Sequence, residues 1–146
     1  MTRLRWWMRF VGGIYVVQFV MMALVRAPIR TIGPEGTLAQ ASAGNPLANF
    51  LVDTWVTLGL VEGAIGVGLL VASRMPGKAI ALIWTVIGVE LSAGIVNDTY
   101  MIARGYNLTV FVTWIVIHTV VILTGLLFLR KAGSTQGATQ TLRPTT

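Results

Sequence analysis

The chain has 146 residues, of which 55% are hydrophobic and only 11% charged, with a formal net charge of +6. Soluble domains carry about a quarter charged residues, so that class is excluded, and the absence of cysteine removes disulfides, thiolate metal sites and cysteine nucleophiles. The basic residues cluster at the ends of apolar runs and not along a soluble face, which selects membrane phosphates as the acidic partner and argues against nucleic acid.

The first apolar stretch, Phe10 to Val25 within a helix expected over Met8 to Val25, follows Arg3, Arg5 and Arg9. It reads as a retained helix and not as a cleaved signal, because Arg26-Ala27-Pro28 follows it with no small-residue cleavage pattern. Trp6 and Trp7 beside Arg5 and Arg9 read as an interfacial anchor on the inner side. A long connection, Arg26 to Asn49, holds Pro28, Gly33-Pro34, Gly44 and Pro46. Within it Thr37 to Ala43 is expected to form a short helix at the outer surface, with Glu35 near its positive end. A loop of this length serves either as a cover over the helices or as a functional element.

Three more runs follow: Phe50 to Ala72, Ala79 to Met101 and Leu108 to Leu129. Each meets the requirement of about 20 mostly apolar residues for a spanning helix, and none has the alternation of barrel strands. The turns between them are short, Ser73 to Lys78 with Pro76-Gly77 and Ala103 to Asn107 with Gly105, so the last three helices are expected to be antiparallel neighbours. The tail from Ser134 is rich in Thr, Gln and Gly without apolar periodicity, which predicts a disordered cytoplasmic segment over 133–146. The expected fold is therefore all-α, an integral membrane four-helix bundle over 1–132.

Orientation follows from the Lys and Arg count in the connections. Arg3, Arg5, Arg9, Arg74, Lys78, Arg130, Lys131 and Arg143 fall on one side, and Arg26, Arg30 and Arg104 on the other. Both termini are expected in the cytoplasm, with the long loop between the first two helices outside. The same bias argues against a dual-topology antiparallel dimer.

Gln18, Glu62, Glu90 and His118 each stand near the midpoint of a different run. An ionisable group at mid-bilayer costs about 2.5–3.5 kcal/mol on insertion scales, so such groups face a bundle interior and find partners there. Helical periodicity gives each a stripe of neighbours. Gln18 aligns with Val11, Tyr15 and Met22, and Glu62 with Trp55, Gly59 and Gly66. Glu90 aligns with Ile83, Ile87, Gly94 and Asn97, and His118 with Phe111, Trp114, Val121 and Asn107. Gly59 and Gly63 form a GxxxG pair expected to bring the second helix close to a neighbour. Asp53, read as starting the second helix, and Asp98, ending the third, are expected at the outer surface among Arg26, Arg104, Asn97 and Tyr100. There they are either solvated and salt-bridged or line an entrance to the central layer.

Three accounts of that layer remain open. One is a hydrogen-bonded knot that fixes registry, since hydrogen bonds inside membranes contribute only about 0.6 kcal/mol on average. Another is a ligand or catalytic pocket in which Glu62, Glu90 and His118 bind or protonate a lipid-soluble molecule. The third is a proton or metal site, although no EExxH or HExxH repeat occurs and a single His is thin support for a metal. The expectation is no metal and no cofactor.

The opening Arg5-Trp6-Trp7-Met8-Arg9-Phe10-Val11-Gly12-Gly13-Ile14-Tyr15, followed by three further short hydrophobic helices, resembles small bacterial four-helix membrane families of the BphX-like and DoxX-like kind. This resemblance implies a bacterial inner-membrane protein, without an activity. A more distant similarity is to the sterol-isomerase and sigma-2-receptor family, which places acids around a hydrophobic ligand in a helical bundle. Glu62, Glu90, Asn97, Trp114 and His118 are residue types suited to such a site.

The functional expectation is an accessory or small-hydrophobe-binding component, with Gln18, Trp55, Glu62, Glu90, Asn97, Trp114 and His118 as binding residues. Its partners would be membrane lipids, a hydrophobic small molecule or a larger membrane complex. The alternative is an intramembrane acid-base enzyme on an isoprenoid or other lipidic substrate, with Glu62 or Glu90 as proton donor and His118 as base or orienting group. A proton-coupled transporter is a further alternative; it resembles the small multidrug exporters in size, but Gln18 stands where those carry an acid.

Overall fold

A computed structural model describes residues 2–26, 29, 30 and 36–140, with side chains as far as residue 131. Pro28, Gly33-Pro34, Glu35 and the tail after Gln140 lie outside the described residues. The described residues are almost entirely helical: α1 (Thr2–Leu24), α2 (Thr37–Ser42), α3 (Pro46–Ala72), α4 (Ile80–Ala103) and α5 (Leu108–Gln140). Four of these, α1, α3, α4 and α5 through Lys131, are long and apolar enough to cross a membrane. Their large apolar side chains remain exposed along much of their length, Phe10, Val17, Leu60, Val71, Leu91, Val116 and Leu127 among them. Such faces are stable against lipid tails and not against water. The molecule is a multi-pass membrane protein.

Local chemistry explains the helix ends. Asn45 caps α3, its side-chain oxygen accepting from the backbone N–H groups of Leu47 and Ala48 at 3.0 and 3.1 Å, and Pro46 takes the first helical position, where no N–H is needed. For that reason α3 begins at Pro46 and not at Phe50, and Asp53 lies exposed inside the helix, not at its start. The turn after α3 closes through Arg74 N–H to Val71 C=O and Met75 N–H to Ala72 C=O, then a short 3-10 segment, Pro76–Lys78. After α4, Gly105 adopts φ +84° and Tyr106 N–H reaches back to Met101 C=O at 3.1 Å, a glycine-closed C-terminus. Asn107 then caps α5 by accepting from Val110 N–H at 3.2 Å. The short helix expected in the long connection is present as Thr37–Ser42. Helix α5 runs to Gln140, beyond the expected end at Leu129, so residues 133–140 are helical where an unstructured tail was expected.

The chain divides into two compact units. In the unit Phe10–Leu70, α1 and α3 run antiparallel in close approach. A Cβ at Gly59 would stand 2.8 Å from Met22 Cβ, one at Gly63 2.8 Å from Phe19 Cβ, and one at Gly66 2.8 Å from the Gly12 carbonyl oxygen. The Gly59–Gly63 pair thus does pack a helix against a neighbour, and the glycine face extends to Gly66 and Gly12. Only glycine leaves backbone this close without a clash.

The other unit joins Met1–Arg9 to Val71–Thr146. Here α4 and α5 are antiparallel, and the start of α1 packs on α5. The Trp7 indole N–H donates to Thr124 Oγ1 at 3.1 Å, and its ring fills the space above Gly125, where a Cβ would come within 2.9 Å. Trp7 is therefore a buried packing residue and not an interfacial anchor. Trp6 is the exposed member of the pair, with the Arg9 guanidinium 5.6 Å from its ring.

Candidate functional site

The site lies within the second of these units, on α4 and α5. Helix α4 is α-helical over Ile80–Val89 and again over Asn97–Ala103, but Glu90–Val96 between them is a π-helix. A π segment fits an additional residue into the turn, and such widened turns occur frequently at functional sites. The extra residue resets which side chains face α5. On a regular α-helix, at about 100° per residue, Asn97 would stand about 20° from Glu90 and Asp98 about 80° away. With one residue added, Asp98 takes the place that Asn97 would have held. Asn97 is accordingly exposed, whereas Glu90 and Asp98 are both buried.

His118 on α5 sits between these two acids. Its Nδ1 is hydrogen-bonded to Glu90 Oε2, and its Nε2 lies 3.5 Å from Asp98 Oδ2. Gly94, in the middle of the π turn, makes room for the ring: a Cβ there would come within 2.6 Å of His118 Cγ and 2.7 Å of Nδ1. The imidazole is thus hydrogen-bonded to one acid of α4, set within ion-pair range of another, and backed by a glycine of the same helix. Its side chain remains 16% exposed, and the Trp114 ring stands one helical turn away, 6.0 Å between centroids and tilted by 31°. Trp114 is itself exposed.

A neutral imidazole has one N–H and one lone pair, and an ionised carboxylate only accepts. Nδ1 is engaged by Glu90, while Nε2 faces Asp98 within ion-pair range, not as a hydrogen bond. Among the described residues no group of three or more His, Cys, Asp or Glu is arranged to hold a metal.

Of the seven binding residues expected from the sequence, the structure brings Glu90, His118 and Trp114 together. It turns Asn97 outward and supplies Asp98 instead, buried beside His118. Gln18, Trp55 and Glu62 belong to the unit Phe10–Leu70, each half-buried, with Gln18 Oε1 shielded and without a hydrogen-bond partner among the described residues. Asp98 was missed because α-helical spacing selects its neighbour. The cue that does exist is Gly94, a small residue one turn from Glu90.

No curated protein and no solved structure shows a significant match to the chain, and the relation to the sterol-isomerase and sigma-2-receptor family is not shown. A family model described as BphX-like matches residues 1–134, nearly the full length. The chain belongs to the BphX-like family.

Proposed function

We propose that this protein is a component of the bacterial inner membrane, both termini cytoplasmic, that binds a small membrane-dissolved molecule through the Glu90–His118–Asp98 triad. The observation that carries this reading is the imidazole hydrogen-bonded to Glu90 and set beside Asp98 while part of its ring stays open beside Trp114. A charged group that served only to join α4 to α5 would need no widened turn and no open edge, and burying three ionisable groups for that purpose is expensive. The open ring edge and the adjacent indole suit a largely apolar molecule bearing one hydrogen-bonding group. The protein then acts as an accessory or carrier component and needs no cofactor of its own.

The test is extraction of the protein purified in mild detergent, with mass spectrometry of what travels with it. Wild-type protein is expected to carry a discrete small hydrophobic species that Glu90→Gln and His118→Ala lose while still folding. An identical extract from all three proteins, with the variants differing only in thermal stability, would leave the triad a structural knot.

A second reading is favoured by one specific feature, the direct hydrogen bond between the His118 ring and the Glu90 carboxyl. An intramembrane acid-base enzyme acting on an isoprenoid or similar lipid needs such a pair, with Glu90 as donor and His118 as its reprotonating partner. In that case Glu90→Gln abolishes turnover of a cellular lipid pool without preventing insertion.

A further inference from the structure

At the opposite end of the same unit from Asp98, the helix ends carry basic residues with no acid among them. The sequence has no Asp or Glu in residues 1–34, 63–89 or 99–146, so Arg3, Arg5, Arg9, Arg74 and Lys78 have no acidic neighbour along their own segments. All five are exposed. The apolar run of α1 begins directly after Arg9, that of α3 ends at Ala72, and that of α4 begins after Lys78. These cations therefore stand at one membrane boundary.

One of them is held in position. Arg9 Nε donates to Ser73 Oγ at 3.4 Å, and Ser73 is almost completely buried, 1% exposed. The guanidinium also lies over the indole of Trp6, 5.6 Å from the ring centre. The exposed Trp6 ring has the amphipathic character suited to headgroup depth. With Nε committed to Ser73 and one face against Trp6, the two terminal nitrogens of Arg9 remain as a donor edge, the geometry that matches a phosphate bidentately. Arg5, one turn earlier on the same face of α1, and Arg74, next to Ser73, add charge beside that edge.

We infer that Arg9, oriented by Ser73 and Trp6 and flanked by Arg5 and Arg74, binds the phosphodiester of an anionic phospholipid at the inner boundary of the membrane. The acyl chains of the lipid then lie along exposed apolar surface of the same unit, such as Val71 before Ser73. A mobile surface arginine would attract anionic lipids without selecting a position. The buried hydroxyl and the indole give this one a fixed direction.

The experiment uses the full chain in nanodiscs of phosphatidylcholine alone, of phosphatidylcholine with phosphatidylglycerol, and of phosphatidylcholine with inorganic phosphate added. Thermal midpoints are read together with lipid retention by native mass spectrometry. Wild-type protein is expected to be stabilised by phosphatidylglycerol and to retain it. Arg9→Gln should weaken retention about fivefold, the effect of one interfacial cation, and Arg104→Gln, on the other side of the membrane, should leave it unchanged. Should Arg9→Gln fold poorly, Ser73→Ala keeps every charge and removes only the orienting hydroxyl; its retention should also fall. Retention equal in wild type, Arg9→Gln and Ser73→Ala overturns the site. Equal stabilisation by inorganic phosphate overturns the lipid assignment in favour of a free-phosphate site.

Discussion

Gly94 and His118 define the narrowest fit in the candidate site, because the ring occupies the volume a methyl group would need. Gly94→Ala is expected to expel the imidazole or push α4 from α5, at a cost of about 1–3 kcal/mol for forced overpacking; thermal unfolding in detergent measures it. His118→Ala has a different physical origin. It removes the group that both carboxyls face and leaves acids buried near each other, so a loss of about 3–5 kcal/mol is expected, with much of it recovered in the triple variant Glu90→Gln, His118→Ala, Asp98→Asn. No recovery in that variant would show that packing, not charge pairing, dominates the site. The chemistry of Glu90 and His118 could be read from the sequence, since mid-membrane polar groups must find partners. The third acid, Asp98, could not, because Gly94 signals a close approach but not the π turn that brings Asp98 to the face of His118.

At the scale of the helix, the register of α4 is the decisive property. Exchanging neighbours in the double variant Asn97→Asp, Asp98→Asn conserves composition and charge but moves the acid off the face that meets His118. It should lose stability comparable to that of Asp98→Asn alone, read from the same unfolding curves; if it matches wild type, the π turn does not set the register. The glycine face of α1 and α3 gives an independent contrast. Gly66→Ala places a methyl 2.8 Å from the Gly12 carbonyl oxygen and should weaken the pairing by about 1–3 kcal/mol. Gly13→Ala meets nothing within 4 Å and should be neutral or stabilising by up to about 1 kcal/mol. The four long helices and their tight turns were legible because length, hydropathy and Pro-Gly punctuation are local signals. Helix starts were less so: the Asn45-Pro46 start signal competes with the stronger pattern of the apolar run that begins only at Phe50. The burial of Trp7 beside exposed Trp6 depends on where α5 packs, which no local pattern encodes.

For the molecule as a whole, the uneven distribution of Lys and Arg predicts which side each connection faces. The absence of cysteine makes this directly measurable, because a single introduced thiol has no background. Lys78→Cys is expected to react with a membrane-impermeant maleimide only after permeabilisation, and Arg104→Cys in intact spheroplasts as well; the reverse pattern would invert the orientation. Inversion would also move the proposed phospholipid site to the outer leaflet. The crossing of α1 and α3 bears on any motion the membrane-embedded chain undergoes. With Gly12 and Gly66 meeting backbone to backbone, displacement by one step along either axis would drive Tyr15 or a leucine into the partner's main chain. Piston-like travel between this pair is sterically closed, and the contact can serve only as a pivot.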